Sequence, residues 1–415
     1  MRELSRRALL GWAGASAIAT AGCGVGARSF TESLPTEVTT TSAPTASPTT
    51  PPPEPAPTPD VLLIGDGSTA DTGPQPHQPV PRRLAPGERP PQFVVFSWDG
   101  AANLSTGLFP RFRTVAQEVG ASMTFFLSGV YALPADHRML YAPPRHPVGA
   151  SDIGFLSTQE VVDTMAEVRL AWLDGHEIGT HFNGHFCGAN GVGLWSPEEW
   201  ASEIAQAKRF VQTWKTTTGR GDLPPLPFDY DVELIGGRTP CLEGQEGLLP
   251  TAAALGWRYD ASSPGGRQVW PGKRLGLWDL PLPSVPFPAT GASALAMDYN
   301  LMYRQTRGDT SGDPAMYDVW RQQARDAYLA GFERAYTTNR APLFVGNHFE
   351  QWNGGIYMDA VEETLRTIAG RPEVRLVSFR QLVDWLDVQD PLVLDRLRTL
   401  PVGTPPAGGW ETFLA

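Results

Sequence analysis

Basic residues are scarce in this sequence, and their scarcity excludes one class of partner. Lys and Arg together number 33 against 44 Asp and Glu, so the formal net charge is −11. No run of Lys or Arg follows the N-terminus. Because nucleic-acid phosphates are bound by basic patches, we expect no nucleic-acid partner. The hydrophobic content of 41% is enough for a sizeable core, and 415 residues allow two domains or one large barrel.

The N-terminus lacks an apolar run long enough to span a bilayer. The run Ala13–Ala21 is too short, and it follows the twin arginine Arg6-Arg7. Small residues then precede Cys23, as at a bacterial lipoprotein cleavage site. Residues 1–23 are therefore predicted to be a twin-arginine export signal, with Cys23 as the lipid anchor. The protein would lie on the extracytoplasmic face of the membrane or in the cell wall; ordinary secretion is the alternative.

Residues 24–90 have too few apolar side chains to build a core. Nine prolines and eight threonines lie between Pro35 and Asp60. Such a stretch stays extended and solvated, so we predict a disordered tether that crosses the cell wall. We expect the folded domain to cover residues 91–390 and a C-terminal tail to cover residues 391–415.

Histidine is also rare, and its distribution is uneven. Three of the seven histidines fall within residues 174–187, namely His176, His181 and His185. A helical or tightly turned segment would point His181 and His185 the same way, as two neutral nitrogens offered to one divalent cation. Asp99 ends a buried strand and could be the third ligand, which would leave a position open for water.

The apolar pattern predicts alternating strands and helices. A strand at Gln92–Ser97, a helix through Phe109 and Val119, and a second strand at Ser122–Leu127 form a βαβ unit. Ser196 begins a helix with a capping box and a proline at its first position. Later come a strand at Leu343–Gly346, a helix that ends at Gly370, a strand at Arg375–Phe379 and a last helix capped by Ser378. The alternation predicts a barrel or an open doubly wound sheet with parallel strands.

Five short motifs resemble those of one family in order. They are Phe96–Gly100, Asp174–His185, Gly237–Pro240, Trp257–Ser263 and Val345–His348. They resemble the signatures of the polysaccharide deacetylases of the NodB-homology group (carbohydrate esterase family 4), most closely its chitin-deacetylase-like branch. The resemblance covers about residues 92–388. It implies a distorted (β/α) barrel with the motifs at the C-terminal ends of its strands.

The resemblance also implies roles for individual residues. Asp99, His181 and His185 would bind the metal, which we expect to be Zn²⁺, with Co²⁺ or Ni²⁺ as alternatives. The metal would polarise the acetyl carbonyl and activate water. His348 would be the general acid, and Asp260 would orient it.

Trp98 differs from the family at one motif position, whereas Asn103 and Arg238 match positions of the family. The family has an aspartate base at the position of Trp98, so Trp98 could instead be a stacking platform for a sugar. Asn103 is placed as in the chitin deacetylases and is a candidate substrate contact. Arg238 matches the arginine that holds the missing base, and Glu243 or Glu350 could be its partner here.

Two cysteines remain once Cys23 is assigned to the lipid. Cys187 lies two residues after His185, and Cys241 lies three residues after Arg238. We expect a disulfide between them, with metal ligation by a thiolate or two free thiols as alternatives.

The sequence thus predicts a metal-dependent hydrolase that removes acetyl groups from an extracellular polysaccharide. The alternatives are a glycan-binding surface lipoprotein that has lost catalysis with its base, and an envelope assembly module with a structural metal. The intact set of three metal ligands, together with His348 and Asp260, favours hydrolysis, and Trp98 favours binding. No sequence feature sets the oligomeric state.

Overall fold

A computed structural model describes residues 61–263 and 265–415. The predicted export signal, the lipid anchor at Cys23 and the tether up to residue 60 lie outside the described residues.

The strands of the described residues form one five-stranded sheet, one three-stranded sheet and two two-stranded sheets. They are β1 (Leu62–Ile64), β2 (Thr69–Asp71), β3 (Gln92–Asp99), β4 (Thr124–Leu127), β5 (Glu177–Thr180), β6 (Tyr259–Asp260), β7 (Lys273–Arg274), β8 (Leu277–Asp279), β9 (Ser284–Phe287), β10 (Ala292–Leu295), β11 (Leu343–His348) and β12 (Val374–Leu376).

Helices separate most of these strands along the chain. They are α1 (Leu108–Val119), α2 (Thr158–Leu173), α3 (Pro197–Gln212), α4 (Trp214–Thr218), α5 (Tyr230–Glu233), α6 (Gln245–Ala254), α7 (Asp298–Thr306), α8 (Tyr317–Tyr336), α9 (Trp352–Ala369), α10 (Phe379–Val388), α11 (Pro391–Arg398) and α12 (Gly409–Phe413). Single 3-10 turns occur between them, including one at Gly129–Ala132.

The central strand is β3, whose eight residues are all buried. It pairs in parallel with β11 along one edge and with β4 and β12 along the other, and β4 pairs in parallel with β5. The predicted βαβ unit is confirmed as β3, α1 and β4. Strands buried on both faces read as continuous apolar runs, which is why the sequence marks them clearly.

Hydrogen bonds continue from both edges of this sheet and close it into a ring. Thr180 of β5 bridges Gly237, and the amide of Ala261 then donates to the carbonyl of Gly237. After β6 and β8 pair in parallel, the amide of Ala296 donates to the carbonyl of Pro283. The amide of Gly346 in β11 donates to the carbonyl of Ala296, which completes the ring. The fold is therefore α/β with a distorted (β/α) barrel, as predicted.

Helix ends follow the local sequence signals. Ser196 caps α3 with a capping box to Glu199, and Ser378 caps α10 in the same way with Gln381. Gly120 ends α1 in the left-handed conformation, with φ 65°. These ends set where α1, α3 and α10 begin or stop, and so fix the lengths of the loops that follow the strands.

Both ends of the domain extend further than predicted. Residues 61–90, which the sequence assigned to the tether, contain the β1–β2 hairpin. Gln75 donates hydrogen bonds to the carbonyls of Trp172 and His176. Residues 391–415 contain α11 and α12 and are not a plain tail. Hydrogen bonds attach much of residues 61–90, whereas the C-terminal segment is attached by apolar side chains, since Leu394, Leu397 and Leu414 are buried in the hydrophobic core.

Within residues 61–263 and 265–415, no helix combines the length and hydropathy needed to cross a bilayer.

Candidate active site

Asp99 and Arg238 form a buried ion pair at the end of β3. Arg238 Nη1 lies 2.9 Å from Asp99 Oδ1, and both side chains are almost completely buried. Burial alone would raise the pKa of Asp99, but the Arg238 guanidinium, with a further contribution from the charge of His348, lowers it. Asp99 is therefore ionised at neutral pH.

The protein encloses the Arg238 guanidinium on all sides. Its Nη1 also donates to Ser97 Oγ at 2.8 Å, and its Nε donates to the carbonyl of Ala261 at 3.1 Å. A Cβ at Gly346 would come within 3.3 Å of Nη1, so a glycine gives the side chain its room. The expectation that Glu243 or Glu350 partners Arg238 is wrong. The carboxylate that holds Arg238 is Asp99, because β3 carries it directly to the guanidinium.

His181 follows β5, and its two ring nitrogens have different surroundings. Its Nδ1 lies 2.8 Å from the carbonyl oxygen of Arg238, which makes Nδ1 the protonated nitrogen. Its Nε2 is buried and has no hydrogen-bond partner among the described residues. Burial lowers the pKa of His181, so the ring is neutral. A neutral imidazole with a carbonyl behind one nitrogen and a free lone pair on the other is the usual form of a metal ligand.

His185 lies in a turned loop, not in a helix, and has φ 58°. Its ring centroid is 5.0 Å from that of His181. Burial, with smaller contributions from His181 and His348, lowers the pKa of His185 to about 3. The tight turn thus brings two neutral imidazoles together, as the four-residue spacing predicts.

The donor set suits a divalent ion at the histidine pair. Asp99, however, does not join these histidines in a group whose ligand atoms all lie within 4.8 Å of one another. Among the described residues, the group at that spacing is His185 with Cys187 and Cys241. Those two sulphur atoms are joined to each other, so they offer no thiolate. Two neutral imidazoles are suitable donors for a metal, and the ligand roles of His181, His185 and Asp99 stay predictions.

Trp98 does not face the site, and its predicted role as a sugar platform is wrong. Its side chain is 0% exposed and packs against Phe112, Phe125 and Phe349 at centroid distances of 4.7, 5.6 and 5.6 Å. Successive residues of a strand point to opposite faces, so Asp99 reaches the site and Trp98 enters the core.

His348 ends β11 directly beside Asp99, its register partner on β3. Its Nδ1 lies 2.8 Å from Asp298 Oδ1, and its backbone amide donates to Asp298 Oδ2 at 2.7 Å. Burial alone would lower the pKa of His348, but Asp298, followed by Asp99 and Glu350, raises it to about 9. His348 is therefore an imidazolium at neutral pH.

Asp260 does not orient His348, and that prediction is wrong. Asp260 accepts hydrogen bonds from the hydroxyl and amide of Ser262 and from Gln245. Burial raises its pKa, and no contact joins it to His348 in the part of the chain that the structure describes. Asp260 stabilises its own loop.

Sequence reasoning missed Asp298, although a usable signal was present. Asp298 is 0% exposed and begins α7, directly after the apolar run Ala294–Met297. An apolar run followed by an aspartate is the same pattern that marked Asp99. The surrounding segment is rich in Gly and Pro and indicates loops, so the short apolar run before Asp298 was not recognised as a strand.

Asn103 contacts a helix rather than the charged groups. Its backbone amide donates to Thr164 Oγ1 at 3.0 Å. The structure gives no contact between its side chain and the residues of the site, among the residues that it describes. Its role as a substrate contact stays a prediction.

Cys187 and Cys241 form the expected disulfide, with Cα atoms 6.2 Å apart. Cys187 Sγ lies 3.8 Å from His185 Nδ1. Cys241 belongs to the turn after Arg238 and has φ 56°. The bond therefore joins the loop that carries His185 to the loop that carries Arg238.

Tyr131 and Glu350 lie close to the charged groups of the site. A Cβ at Gly100 would meet Tyr131 Cε2 at 3.6 Å, which places the phenol beside the end of β3. Burial, with a contribution from Glu350, raises the pKa of Tyr131 to about 12. Burial also raises the pKa of Glu350. Both side chains therefore lose their protons at higher pH than they would in free solution.

Comparisons with known proteins give no sequence match and several structural ones. No family model and no curated protein matches the chain. A Mycobacterium smegmatis protein assigned to the polysaccharide deacetylases has a TM-score of 0.43 and 15% identity, over 73% of this chain and 94% of that one. A Streptococcus mutans CE4 esterase has a TM-score of 0.37 and 14% identity, over 69% and 86%. A CE4 family pseudoenzyme from Bacillus anthracis has a TM-score of 0.37 and 11% identity, over 74% and 70%.

These structures carry descriptions from the family that the sequence motifs resemble. Their TM-scores are below 0.5, so the fold rests here on strand order and on the hydrogen bonds that close the barrel.

Proposed function

We propose that the protein is a metal-dependent hydrolase that removes acetyl groups from a polysaccharide. One observation carries the proposal. Asp99 and His348 are register neighbours beside His181 and His185, and their pKa values are shifted in opposite directions. An ionised carboxylate and a protonated imidazole on one site can act as the general base and the general acid in the hydrolysis of an amide or ester.

His181 and His185 would hold the metal, for which Zn²⁺ is our proposal. When bound, it supplies polarisation of the acetyl carbonyl and of the attacking water. Zinc accepts neutral imidazole nitrogen, and both rings are kept neutral by burial.

Asp99 is our proposal for the base, in place of the residue that the family has at position 98. Arg238 keeps the carboxylate ionised and fixes one of its oxygens. The other oxygen is left to accept a proton from water. The position of Trp98 in the core removes the reason to assume that the base is missing.

His348 is our proposal for the acid that protonates the leaving nitrogen or oxygen. Asp298 occupies Nδ1 and so leaves Nε2 to carry the transferable proton. The carboxylate also stabilises the imidazolium, which keeps the acid charged until the leaving group takes its proton.

The glycan-binding alternative loses its main support. It rested on the loss of the base at position 98 and on Trp98 as a sugar platform; the side chain of Trp98 is buried, and Asp99 is our proposal for the base. A binding protein without catalysis would also have no need of the paired His348 and Asp298.

We further propose that the protein acts outside the cytoplasm, attached to the membrane through Cys23. The Cys187–Cys241 disulfide supports an oxidising compartment. Replacement of Cys23 by serine should release the protein from the membrane fraction of a bacterial host that expresses it. Unchanged fractionation would contradict the anchor.

The central test combines metal content with acetate release. The purified protein is loaded with Zn²⁺, Co²⁺ or Ni²⁺ and assayed on N-acetylglucosamine oligomers and acetylxylan. We expect a bound metal and release of acetate, and we expect His181→Ala to lose both. His137→Ala, at an exposed histidine, is the matched control. A wild type that binds no metal, or that binds metal and hydrolyses neither substrate, would contradict the proposal.

A further inference from the structure

Three aromatic rings continue from His348 toward the surface. The centroid of His348 lies 5.5 Å from that of Trp352, Trp352 lies 5.9 Å from Tyr299, and Tyr299 lies 6.2 Å from Tyr303. The His348 side chain is 25% exposed, whereas Tyr303 is 52% exposed. We call Trp352, Tyr299 and Tyr303 the aromatic strip.

The strip is tied to the acid of the site by helix α7. Asp298, the first residue of α7, accepts both hydrogen bonds from His348 and a third from the amide of Tyr299 at 2.7 Å. Tyr299 and Tyr303 are four residues apart and share one face of α7. Trp352 begins α9 four residues after His348. The hydrogen bonds of Asp298 therefore orient the imidazole of His348 and also fix the position of Tyr299 relative to it.

The polar atoms of the strip are available to a ligand. Within the described residues, neither tyrosine hydroxyl nor the Trp352 indole N–H has a hydrogen-bond partner in the protein. Each side chain thus combines an apolar ring with an unused polar group at its edge. A pyranose ring has the matching form, with an apolar C–H face and hydroxyl groups around it.

Core packing explains two members of the strip but not the third. Tyr299 and Trp352 pack against the hydrophobic core with part of their surface. Tyr303 does not pack against it and remains a large, exposed apolar side chain. Its position at the far end of a ring-to-ring path from His348 is what a platform for a chain-like ligand requires.

We propose that the aromatic strip is a binding subsite for consecutive sugar rings of a polysaccharide chain whose acetylated unit lies at His348. This inference rests on the proposed function for the position of the reacting unit. Successive sugars would contact Trp352, Tyr299 and Tyr303 in turn. The strip would therefore select long substrates over short ones and would act on binding, not on the chemical step.

The test compares chain-length dependence between variants. The zinc-loaded wild type, Tyr303→Ala, Tyr303→Phe and the control Leu392→Ala, at a side chain 71% exposed on α11, are assayed on N-acetylglucosamine oligomers from the disaccharide to the hexasaccharide. We expect Tyr303→Ala to lose about tenfold in kcat/KM on the hexasaccharide through KM, with no change on the disaccharide. Tyr303→Phe keeps the ring and should retain most of the length effect, and Leu392→Ala should match the wild type.

A binding measurement keeps this inference separate from the proposed function. The hexasaccharide and an acetylated xylohexaose are titrated while tryptophan fluorescence is followed. Weaker binding by Tyr303→Ala than by the wild type supports the strip even if no acetate is released. The strip is overturned if the wild type binds neither hexasaccharide, or if Tyr303→Ala binds and hydrolyses them as the wild type does.

Discussion

Asp298 Oδ1 lies 2.8 Å from His348 Nδ1, across 50 residues of sequence. The same carboxylate accepts the backbone amide of His348 through its other oxygen. One buried side chain therefore sets the ring orientation, the tautomer and the charge of the proposed acid.

The pH profile of acetate release should depend on Asp298. A pKa of about 9 keeps His348 protonated below that pH, so activity should fall as the pH rises through about 9. Asp298→Asn removes the attraction that raises this pKa, so the descending limb should move to lower pH. The measurement is kcat against pH for the zinc-loaded enzyme.

Asp260→Asn is the matched control for this prediction. It removes a carboxylate that is also buried but contacts Ser262 and Gln245 instead. Its descending limb should coincide with that of the wild type. If Asp260→Asn shifts the limb and Asp298→Asn does not, Asp260 and not Asp298 sets the pKa of His348.

His348 should also contribute to stability in a defined pH window. Because its folded-state pKa is raised, its contribution is fully present below its unfolded pKa of roughly 6.5 and is lost as the pH rises through about 9. His348→Gln should therefore be less stable than the wild type at pH 6 and closer to it at pH 10. Urea unfolding at the two values measures the difference. If wild type and His348→Gln differ in unfolding free energy by the same amount at pH 6 and at pH 10, the ion pair of His348 with Asp298 does not stabilise the fold.

The variant Asp99→Asn distinguishes between two roles of Asp99, that of the general base and that of a metal ligand. If Asp99 takes the proton from water, the variant should keep its zinc and lose roughly 10²–10⁴-fold in kcat. Asparagine still offers an oxygen to Arg238, which limits the cost of leaving that buried charge without a carboxylate. Metal content and kcat are measured on the same preparation. Loss of zinc in proportion to loss of activity would make Asp99 a ligand instead.

Trp98 should matter for stability and not for sugar binding. Trp98→Ala should cost about 3–5 kcal/mol of unfolding free energy, because it leaves a cavity among Phe112, Phe125 and Phe349. Trp98→Asp should be at least as damaging, since it buries a carboxylate in the same place. Leu275→Ala, at a side chain 64% exposed, should change stability by less than about 0.5 kcal/mol. A folded Trp98→Asp variant of wild-type stability would contradict the assignment of Trp98 to the core.

The disulfide should stabilise the two loops of the site. The paired Cys187→Ser and Cys241→Ser substitutions open a link across 54 residues, which should cost about 2–4 kcal/mol. We also expect weaker zinc binding, because the loop of His185 is no longer joined to the loop of Arg238. Non-reducing peptide mapping of the wild type should recover the two peptides linked. Free thiols in the exported protein would contradict the bond.

The sequence alone determined which residues end the central strands. Apolar runs before Asp99 and before His348 marked β3 and β11, and parallel strands bring such ends together at one edge. The helix caps at Ser196 and Ser378 were also readable, because capping depends on residues three apart. These features are local, so the chain encodes them within a few residues.

Only the tertiary structure decided which groups face one another. A strand that is buried on both sides gives no sign of which face is the barrel interior, so the sequence could not tell that Trp98 enters the core while Asp99 meets Arg238. For a similar reason, the sequence could not show whether Asp260 or Asp298 contacts His348. Both follow apolar residues, and their separation from His348 along the chain says nothing about distance in space. The closure of the barrel places Met297 beside Gly346, and so brings Asp298 to the imidazole.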